Sequence, residues 1–426
     1  MNLTEIRATL LDGTTKGIPG SARPFPLSAI AAQGWNVLRE DLPFPLMLLK
    51  RAALDHNARV FETYLSENGL SFSPHGKTTM TPQLFAEQLA HGAWAITAAT
   101  VNQVMVMRRF GISRIILANQ LIGRAAVEAI AAEINGDPGF DFYAFVDSVG
   151  QLRNIERHLA GAALTRPIRL LVEMGVAGGR TGVRSIAEGL ALVEAVAAAD
   201  QGRFRFAGVA AFEGVVPGIG KGTEQGATFA ETVATFARAI PPSAYAGLDE
   251  FILTGGGSSY FDVIAEHFKA VELPVPVRVV LRSGCYVTHD SGGYHAAQEA
   301  ALADPHRHWS GALEPALEAW SYVQSMPEPG LALLTMGKRD IPYDSGLPVP
   351  QKRYRPGSGW LDIGTAEIFA TNDQHAYVRL GENAGWQVGD MIASGISHPC
   401  TAFDKWRFIP VVDDKYQVID GMLSFF

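Results

Sequence analysis

The pattern of apolar and polar positions along the chain changes once, near residue 277. Before this point, short apolar runs typical of β-strands alternate with longer amphipathic stretches typical of helices, which is the pattern of parallel β/α units. Eight such units in about 210 residues predict a closed (β/α)₈ barrel, with an open doubly wound sheet as the alternative. The predicted strands are Leu46–Lys50, Ser71–His75, Trp94–Thr97, Ile115–Ala118, Phe142–Val146, Ile168–Glu173, Phe204–Ala210 and Phe251–Thr254.

The rest of the chain has a different texture, in which strand-like segments are separated by Gly, Pro and Asp turns. This pattern predicts a mostly antiparallel β domain. Its predicted strands include Val279–Val287, Ala316–Ser325, Leu331–Met336, Ala376–Leu380 and Phe408–Val412. We therefore predict an α/β plus β protein with three parts: an N-terminal lead-in (1–40) packing on the β domain, a barrel (41–277) and a C-terminal β domain (278–426).

Composition narrows the class of protein. The 426 residues are 47% hydrophobic and 18% charged, which allows a large core and excludes global disorder. The formal charge of -8 argues against a nucleic-acid partner, because such proteins need a basic surface. The two cysteines indicate a reducing compartment, and no apolar run of about 18 residues predicts a membrane span. We expect a cytoplasmic protein of enzyme size.

Two cations follow predicted barrel strands, at the edge where barrel enzymes carry their active sites. Lys77 lies in Ser-Pro-His-Gly-Lys-Thr-Thr, where partial desolvation would make it a Schiff-base candidate. Arg180 lies in Glu-Met-Gly-Val-Ala-Gly-Gly-Arg-Thr-Gly-Val, whose glycines let the backbone approach a ligand. The alternatives are a solvated loop lysine and an exposed arginine at a helix entry.

A glycine-rich loop follows the last predicted barrel strand. It consists of Thr254, Gly255, Gly256, Gly257 and Ser258, and it offers backbone N–H groups and a hydroxyl at the usual phosphate position of a barrel. It lacks the Gly-Lys-Ser/Thr ending of a P-loop and the spacing of a dinucleotide fingerprint. A tight structural turn is the alternative.

A third candidate site lies late in the β domain, at His398-Pro399-Cys400. In an extended segment, side chains two residues apart share a face, so both can reach one ion. Nitrogen and sulfur donors favour zinc over magnesium or calcium. The alternatives are a buried cysteine beside a core histidine and a general base paired with a thiol nucleophile.

Taken together, these segments resemble the D-serine dehydratase and D-threonine aldolase family, which uses pyridoxal 5′-phosphate (PLP) on an alanine-racemase-like barrel of fold type III. The resemblance extends from Leu42 through nearly the whole remaining chain. It implies that Lys77 carries PLP within a Pro-His-x-Lys-Thr motif that includes His75. It further implies that Arg180 faces the pyridine nitrogen, that the glycine loop binds the phosphate and that Tyr286 lies near the cofactor.

The resemblance also extends to the C-terminal metal segment, where His398 and Cys400 match the family's ligands. Dehydratase-like members carry His-x-Cys and bind zinc, whereas aldolase-like members tend to carry His-x-Asp and accept manganese. Two departures are visible: Ser283 replaces a proline, and Ala376 follows His375 where the family has glycine. The role of His375 is therefore left open.

The function implied is PLP- and zinc-dependent β-elimination of a D-3-hydroxy amino acid, with D-serine giving pyruvate and ammonia. Close alternatives are a metal-dependent aldolase of D-threonine type, which releases glycine and an aldehyde, and a D-3-hydroxyaspartate dehydratase. A racemase or a PLP carrier without turnover is a more distant alternative, because neither needs the metal segment. The resemblance also implies a homodimer, with the cofactor site between the barrel of one subunit and the β domain of another.

Overall fold

The computed structural model describes residues 1–159, 163–216 and 223–426. Its strands are β1 (Leu10–Leu11), β2 (Phe25–Pro26), β3 (Leu46–Lys50), β4 (Ser71–Phe72), β5 (Ile96–Ala98), β6 (Arg114–Gln120), β7 (Asp141–Val146), β8 (Ile168–Met174), β9 (Phe204–Ala211), β10 (Phe251–Gly255), β11 (Val277–Leu281), β12 (Leu317–Glu328), β13 (Leu331–Leu334), β14 (Val349–Arg355), β15 (Gly359–Leu361), β16 (Ala366–Thr371), β17 (Ala376–Leu380), β18 (Met391–Gly395), β19 (Phe408–Val412) and β20 (Val418–Leu423).

Helices connect the parallel strands and cover their outer face. In the described ranges they are α1 (Thr4–Ala8), α2 (Arg51–Asn68), α3 (Pro82–Ala90), α4 (Val101–Arg109), α5 (Arg124–Gly136), α6 (Val149–Leu159), α7 (Ile186–Ala198), α8 (Glu224–Ala239), α9 (Phe261–Lys269) and α10 (Gly293–Ala303). Each of α3 to α9 lies between two successive strands of one sheet, as parallel pairing requires. None of these helices combines the length and the apolar character that a membrane crossing needs.

Eight parallel strands form the barrel, in the order β4, β11, β10, β9, β8, β7, β6 and β5. The ring closes between its ends, where Thr97 N donates to Pro74 O at 2.9 Å and His75 pairs with Thr97 in a parallel bridge. Inward side chains such as Ile116, Phe145 and Leu171 fill the interior and are buried. The predicted (β/α)₈ barrel with an alanine-racemase-like fold is confirmed.

Two strands belong to different sheets from those predicted. Leu46–Lys50 is not a barrel strand, because it pairs antiparallel with β12 and parallel with β19 in the second sheet. The eighth barrel strand is instead Val277–Leu281, the beginning of a segment predicted for the β domain. Leu46 to Leu49 are all at most 1% exposed, so a strand covered on both faces shows the same continuous apolar run in either sheet.

The second domain is built on an antiparallel sheet in the order β15, β14, β18, β12, β13, β17 and β16, with β19 and β20 joined through β3. The N-terminal residues pack on this domain. Val418 N donates to Trp35 O at 2.9 Å, and Val37 N donates to Tyr416 O at 3.0 Å. An ion pair between Arg7 and Asp420 at 2.6 Å adds a surface contact. The predicted β domain is therefore observed, with one strand contributed from before the barrel.

Parallel pairing places the carboxyl ends of all barrel strands at one edge. The segments that follow β4, β8, β10 and β11 carry Lys77, Arg180, Gly256–Gly257 and Arg282 respectively. The segment after β18 of the second domain reaches the same edge, because Cys400 contacts Thr78. The fold thus brings two separate groups of polar residues together at the barrel mouth.

Candidate active site

A cavity of about 110 Å³ opens at the carboxyl edge of the barrel. Three of its lining side chains are cations, two are aromatic, and two lining positions are glycines of the loop after β10. The lining residues are His75, Lys77, Ala99, Ala118, Asn119, Phe145, Arg180, Thr181, Phe212, Gly256, Gly257 and Arg282. The structure therefore brings together five residues predicted for the site, namely His75, Lys77, Arg180, Gly256 and Gly257.

Lys77 lies in a single 3₁₀ turn, Gly76–Thr78, that begins just after the bridge closing the barrel. A Cβ on Gly76 would lie 2.5 Å from the Met107 methyl and 3.0 Å from the Ile96 and Phe85 side chains, so this turn packs closely on its neighbours. His75 precedes the turn, and its Nδ1 is buried without a hydrogen-bond partner among the described residues. Burial, together with the charges of Lys77 and two arginines, holds the pKa of His75 well below its usual value. The imidazole is therefore neutral, with one ring nitrogen free for a ligand.

Arg282 is a site residue that our sequence analysis did not select. Its guanidinium is buried, donates to Thr254 Oγ1 at 2.7 Å and to Ala211 O at 2.6 Å, and lies 5.2 Å from the Phe145 ring. Burial lowers the pKa of Arg282 to about 10, against the charge of the nearby Glu213. The available signal was an arginine directly after a buried strand, but that strand had been assigned to the other sheet.

Arg180 approaches the cavity from the loop after β8. Its guanidinium carbon lies 4.8 Å from the centre of the Phe212 ring, a cation–π distance, and it lines the same cavity as Lys77. Arg180 and Arg282 therefore add two positive charges to the cavity that contains Lys77. Such a cavity favours a ligand that carries negative charge.

The glycine loop after β10 is only partly aimed at the cavity. Thr254 is fully buried and its hydroxyl donates to Val280 O at 2.8 Å, so it supports Arg282 instead of facing a ligand. Gly255 ends β10 against α9, and Ser258 Oγ accepts from Cys285 N at 3.2 Å. Gly256 and Gly257 alone of these five predicted residues line the cavity.

The reason for glycine differs between Gly256 and Gly257. Gly256 has a φ of +80°, and a Cβ there would lie 2.7 Å from Leu281 in the barrel core. The turn and its packing therefore require this glycine whether or not the loop binds a phosphate. Gly257 N donates to Glu213 Oε1 at 2.5 Å, and Glu213 Oε2 has no partner in the described part of the chain. Burial raises the pKa of Glu213. Because this carboxyl already accepts the Gly257 N–H, a phosphate at the loop would compete with it for that amide.

Tyr286, expected near the cofactor, faces away from the cavity. Its ring packs 4.5 Å from Phe61 and 5.1 Å from Phe72, measured between centroids, and its hydroxyl bonds to the Gln88 side chain. It is a core residue under α2. His375 lies at the hairpin before β17 and lines neither of the cavities at the barrel mouth.

The segment predicted to bind metal, His398 to Cys400, lies beside the lysine turn. His398 and Cys400 interact directly, which raises the pKa of His398 to about 9 despite partial burial. Contacts with Cys285, His398 and Thr78 hold the pKa of Cys400 well below its usual value. The Cys400 sulfur lies 3.4 Å from Thr78 Oγ1, one residue after Lys77. This contact joins the predicted metal segment to the cofactor cavity within one chain.

A carboxylate orients the histidine. Asp344 Oδ2 lies 2.6 Å from His398 Nδ1, and Thr401 Oγ1 donates to Asp344 Oδ1 at 2.7 Å. Metal-binding histidines commonly pair their second ring nitrogen with such a carboxylate. Asp344 precedes His398 by 54 residues in an irregular loop, so no local spacing in the sequence indicated it.

The donors suit an open metal site better than a closed one. Across the described ranges, no three or more His, Cys, Asp or Glu side chains are grouped so that they could hold an ion together. His398 and Cys400 provide one nitrogen and one sulfur, a donor set that suits zinc. Two protein ligands would leave positions for water or substrate, as a catalytic metal needs and a structural metal does not.

A second and larger cavity, about 780 Å³, adjoins the first through Phe212 and Gly257. Tyr294 and small residues of α10 form one wall. Arg307 lies at its end, but that guanidinium is engaged by Asp262 at 2.5 Å and is buried with it. The larger cavity therefore borders the space around Lys77.

Comparison with known proteins agrees with this geometry. The family profile described as "Alanine racemase, N-terminal domain" matches residues 49–272, and the profile described as "Putative serine dehydratase domain" matches residues 316–412. The first covers more than half of the chain and includes the lysine and the glycine loop. The chain belongs to the D-serine dehydratase and D-threonine aldolase family.

Relatives cover almost the full length of this family member. A D-threonine aldolase from Arthrobacter sp is 26% identical over 95% of this chain and 93% of its own. The crystal structure of D-threonine aldolase from Filomicrobium marinum superimposes with a TM-score of 0.74, at 22% identity over 90% of this chain and 95% of that one. D-threo-3-hydroxyaspartate dehydratase from Delftia sp. HT23 superimposes with a TM-score of 0.67, at 17% identity over 92% of this chain and 99% of that one. At these identities the structural matches establish the fold.

The cavity residues fit PLP, the cofactor that membership of this family implies. A lysine for covalent attachment, two arginines, an unpaired histidine nitrogen and two aromatic rings surround the space. A phosphorylated aromatic aldehyde matches each of these features. The relatives' names describe lyases, which supports an enzyme over a carrier protein.

Proposed function

We propose that this protein is a PLP- and zinc-dependent lyase of D-3-hydroxy amino acids, with D-serine converted to pyruvate and ammonia. The observation that carries the proposal is the contact between the lysine turn and the metal segment, where Thr78 Oγ1 lies 3.4 Å from the Cys400 sulfur. A substrate at Lys77 would then present its β-hydroxyl towards His398 and Cys400. The two groups act on neighbouring carbons of one small molecule.

Each residue at the cavity has a separate task. Lys77 holds the cofactor and moves the proton of the substrate α-carbon. Arg180 and Arg282 bind anionic groups, and the neutral His75 offers a hydrogen bond without adding charge. Phe145 and Phe212 exclude water from two sides. Bound PLP would supply the electron sink that α-proton removal requires.

The metal segment accounts for the second half of the reaction. His398 and Cys400 would hold the zinc ion, with Asp344 fixing the imidazole, and zinc would supply a Lewis acid for the departing hydroxyl. Cys400, at a position where aldolase-like members tend to carry aspartate, favours elimination over aldol cleavage. A cysteine-to-alanine variant of D-threo-3-hydroxyaspartate dehydratase has been solved "in the metal-free form", which links a cysteine with the metal in that dehydratase.

Retro-aldol cleavage is the second candidate, because two of the similar proteins are D-threonine aldolases by name. It would use the same cavity and metal but would start from the β-hydroxyl proton. A 3-hydroxyaspartate substrate would need a further cation, and Arg307 of the larger cavity is already paired with Asp262. Elimination from D-serine is therefore the reaction that we favour.

One assay separates these reactions. Protein loaded with PLP and zinc is incubated with D-serine, D-threonine and D-threo-3-hydroxyaspartate, with L-serine as the stereochemical control. We expect 2-oxo acid and ammonia from D-serine, and no product from L-serine. Glycine and acetaldehyde from D-threonine, without pyruvate from D-serine, would replace the elimination by the aldolase reaction. Inactivity with all D-substrates would overturn both.

We also propose the homodimer that the family resemblance implies. The metal segment contacts Thr78, next to Lys77, within the same chain, so a second subunit is not needed for that contact. A partner would instead cover the open side of the larger cavity. Light scattering should give about twice the chain mass of 45.8 kDa. A monomer with full activity would contradict this assembly.

A further inference from the structure

Cys285 is a buried thiol for which the proposed reaction has no use. It is 3% exposed, and its sulfur lies 3.3 Å from the sulfur of Cys400. These are the two cysteines of the whole chain. Both are free thiols in the structure. The fold thus brings together two residues that are 115 positions apart.

The two thiols come from different domains. Cys285 begins the 3₁₀ turn that follows β11 of the barrel, and Cys400 lies in the 3₁₀ turn after β18 of the second domain. Each sulfur is held in place: Thr78 contacts Cys400, and the Tyr294 side chain bonds to Cys285. A disulfide sulfur–sulfur bond is about 2.05 Å long, so the sulfurs would need to approach by about 1.3 Å.

We propose that Cys285 and Cys400 form a reversible disulfide when the metal segment is empty, and that this disulfide prevents metal binding. The oxidant is a small peroxide. The effect on metal rests on the proposed function of His398 and Cys400, whereas formation of the disulfide does not. A thiolate is the metal-binding form of cysteine, so a sulfur engaged in a disulfide is withdrawn from the ion.

The oxidation balances in two steps. Cys400, the more exposed thiol, reacts with hydrogen peroxide to give a sulfenic acid and one water. The Cys285 sulfur then attacks the Cys400 sulfur, which forms the disulfide and releases a second water. The two thiols lose two electrons and two protons in total, and the peroxide is reduced to two waters. A dithiol reductant reverses the reaction.

The larger cavity lies one residue away from this pair, so we propose it as the path of a small oxidant. Ser258 and Tyr294 both line that cavity, and both contact Cys285. Glutathione disulfide is much larger than peroxide, so we expect it to react more slowly. Cys285 would then protect Cys400, because rapid disulfide formation competes with further oxidation to a sulfinic acid.

The test uses full-length, PLP-loaded protein from which metal has been removed by a chelator. After treatment with hydrogen peroxide, thiols are counted in denaturant and the intact mass is measured. We expect the two thiols of the chain to disappear, the mass to fall by about 2 Da, and a dithiol to restore both. Peptide mapping should recover one cross-linked peptide containing Cys285 and Cys400. Zinc should bind the reduced protein and not the oxidised one.

The matched control is Cys285→Ser, which leaves Cys400 as the single thiol and keeps a side chain of similar size. This variant should bind zinc as the wild type does. Two equivalents of peroxide should add two oxygens to the Cys400 sulfur and leave two waters, so that the protein gains about 32 Da that a dithiol does not remove. Cys285→Ala repeats the test if serine disturbs the buried site, with circular dichroism checking the fold of each variant.

Five results would overturn the disulfide, the exclusion of metal, or both. If both thiols persist after peroxide treatment, or if the cross-link joins two chains, the proposed disulfide within one chain is refuted. If the oxidised protein binds zinc, the disulfide does not prevent metal binding. Loss of zinc from reduced Cys285→Ser makes Cys285 a ligand and not a redox partner. Absence of zinc from the reduced wild type refutes the metal site itself and the exclusion with it, and the thiol count still decides the disulfide.

Discussion

The residues that we propose for the cofactor (the cofactor half) and those that we propose for the metal (the metal half) are brought together in different ways. Lys77, Arg180, Gly257 and Arg282 each follow a strand of one barrel, so the shared edge of the sheet alone brings them together. The proposed metal half combines Asp344, His398 and Cys400 from loops of the second domain, and Cys400 packs against Thr78 and Cys285 of the barrel. The cofactor half follows from the repeated β/α topology of the barrel, whereas the metal half depends on how the second domain packs against the barrel. Substitutions in each half should therefore have separable effects.

Lys77→Ala is the change with the largest expected effect. The variant should fold normally, since the side chain is only half buried in the cavity and is not core packing. Turnover should fall by about 10⁴-fold or more, at the upper end of what a positioned base contributes. Borohydride treatment of the wild type should attach PLP to Lys77, as shown by peptide mass. Label on Lys50 or Lys338 would refute the assignment of the cofactor lysine.

Cys400→Ala should break the metal half and spare the cofactor half. We expect PLP absorbance to be retained and pyruvate release from D-serine to fall by about 10²-fold or more, because several kcal/mol of Lewis-acid stabilisation are lost. Exchange of the α-proton with solvent should decline less, since it involves Lys77 and precedes loss of hydroxide. Chelator-treated wild type is the matched comparison. Undiminished pyruvate formation by protein shown to hold no metal would end the zinc mechanism.

The comparison also explains what could be predicted from the sequence. Every predicted strand from Ser71 to Thr254 lies in the barrel, because periodicity and strand-end position carry that information locally. Leu46–Lys50 was placed in the wrong sheet, since a strand buried on both faces has the same pattern in either sheet. That error displaced the eighth barrel strand and, with it, the recognition of Arg282.

The metal half shows why the rest could not be predicted. His398 and Cys400 are two residues apart and were visible as a motif, whereas Asp344 and Cys285 meet them only in the folded chain. Tyr286 shows the converse error, in which a residue close in sequence to the site was predicted to be part of it. It is close in sequence to Arg282, but the turn after β11 directs its ring into the core.

Asp344→Asn should have an intermediate effect, confined to the metal half. The amide keeps the size of the side chain but loses the charge that pairs with His398 Nδ1 at 2.6 Å. Zinc affinity should weaken by about 10- to 100-fold, the usual cost of losing such a supporting carboxylate. Competition with a chromophoric chelator measures this, and PLP titration should be unaffected. If the zinc affinity does not change, Asp344 does not orient the ligand.

Tyr286→Phe should have the smallest effect, and it tests whether Tyr286, the residue after Cys285, serves either half of the site. The ring packs against Phe61 and Phe72, so phenylalanine preserves this stacking and removes only the hydroxyl bonded to Gln88. Loss of one such hydrogen bond should lower the free energy of unfolding by about 1 kcal/mol, measured by denaturant titration. PLP affinity and zinc affinity should both equal those of the wild type, because the side chain lines neither cavity. A marked loss of PLP affinity would restore Tyr286 to the cofactor site that the family resemblance implies, and it would show that the turn after β11 rearranges when PLP binds.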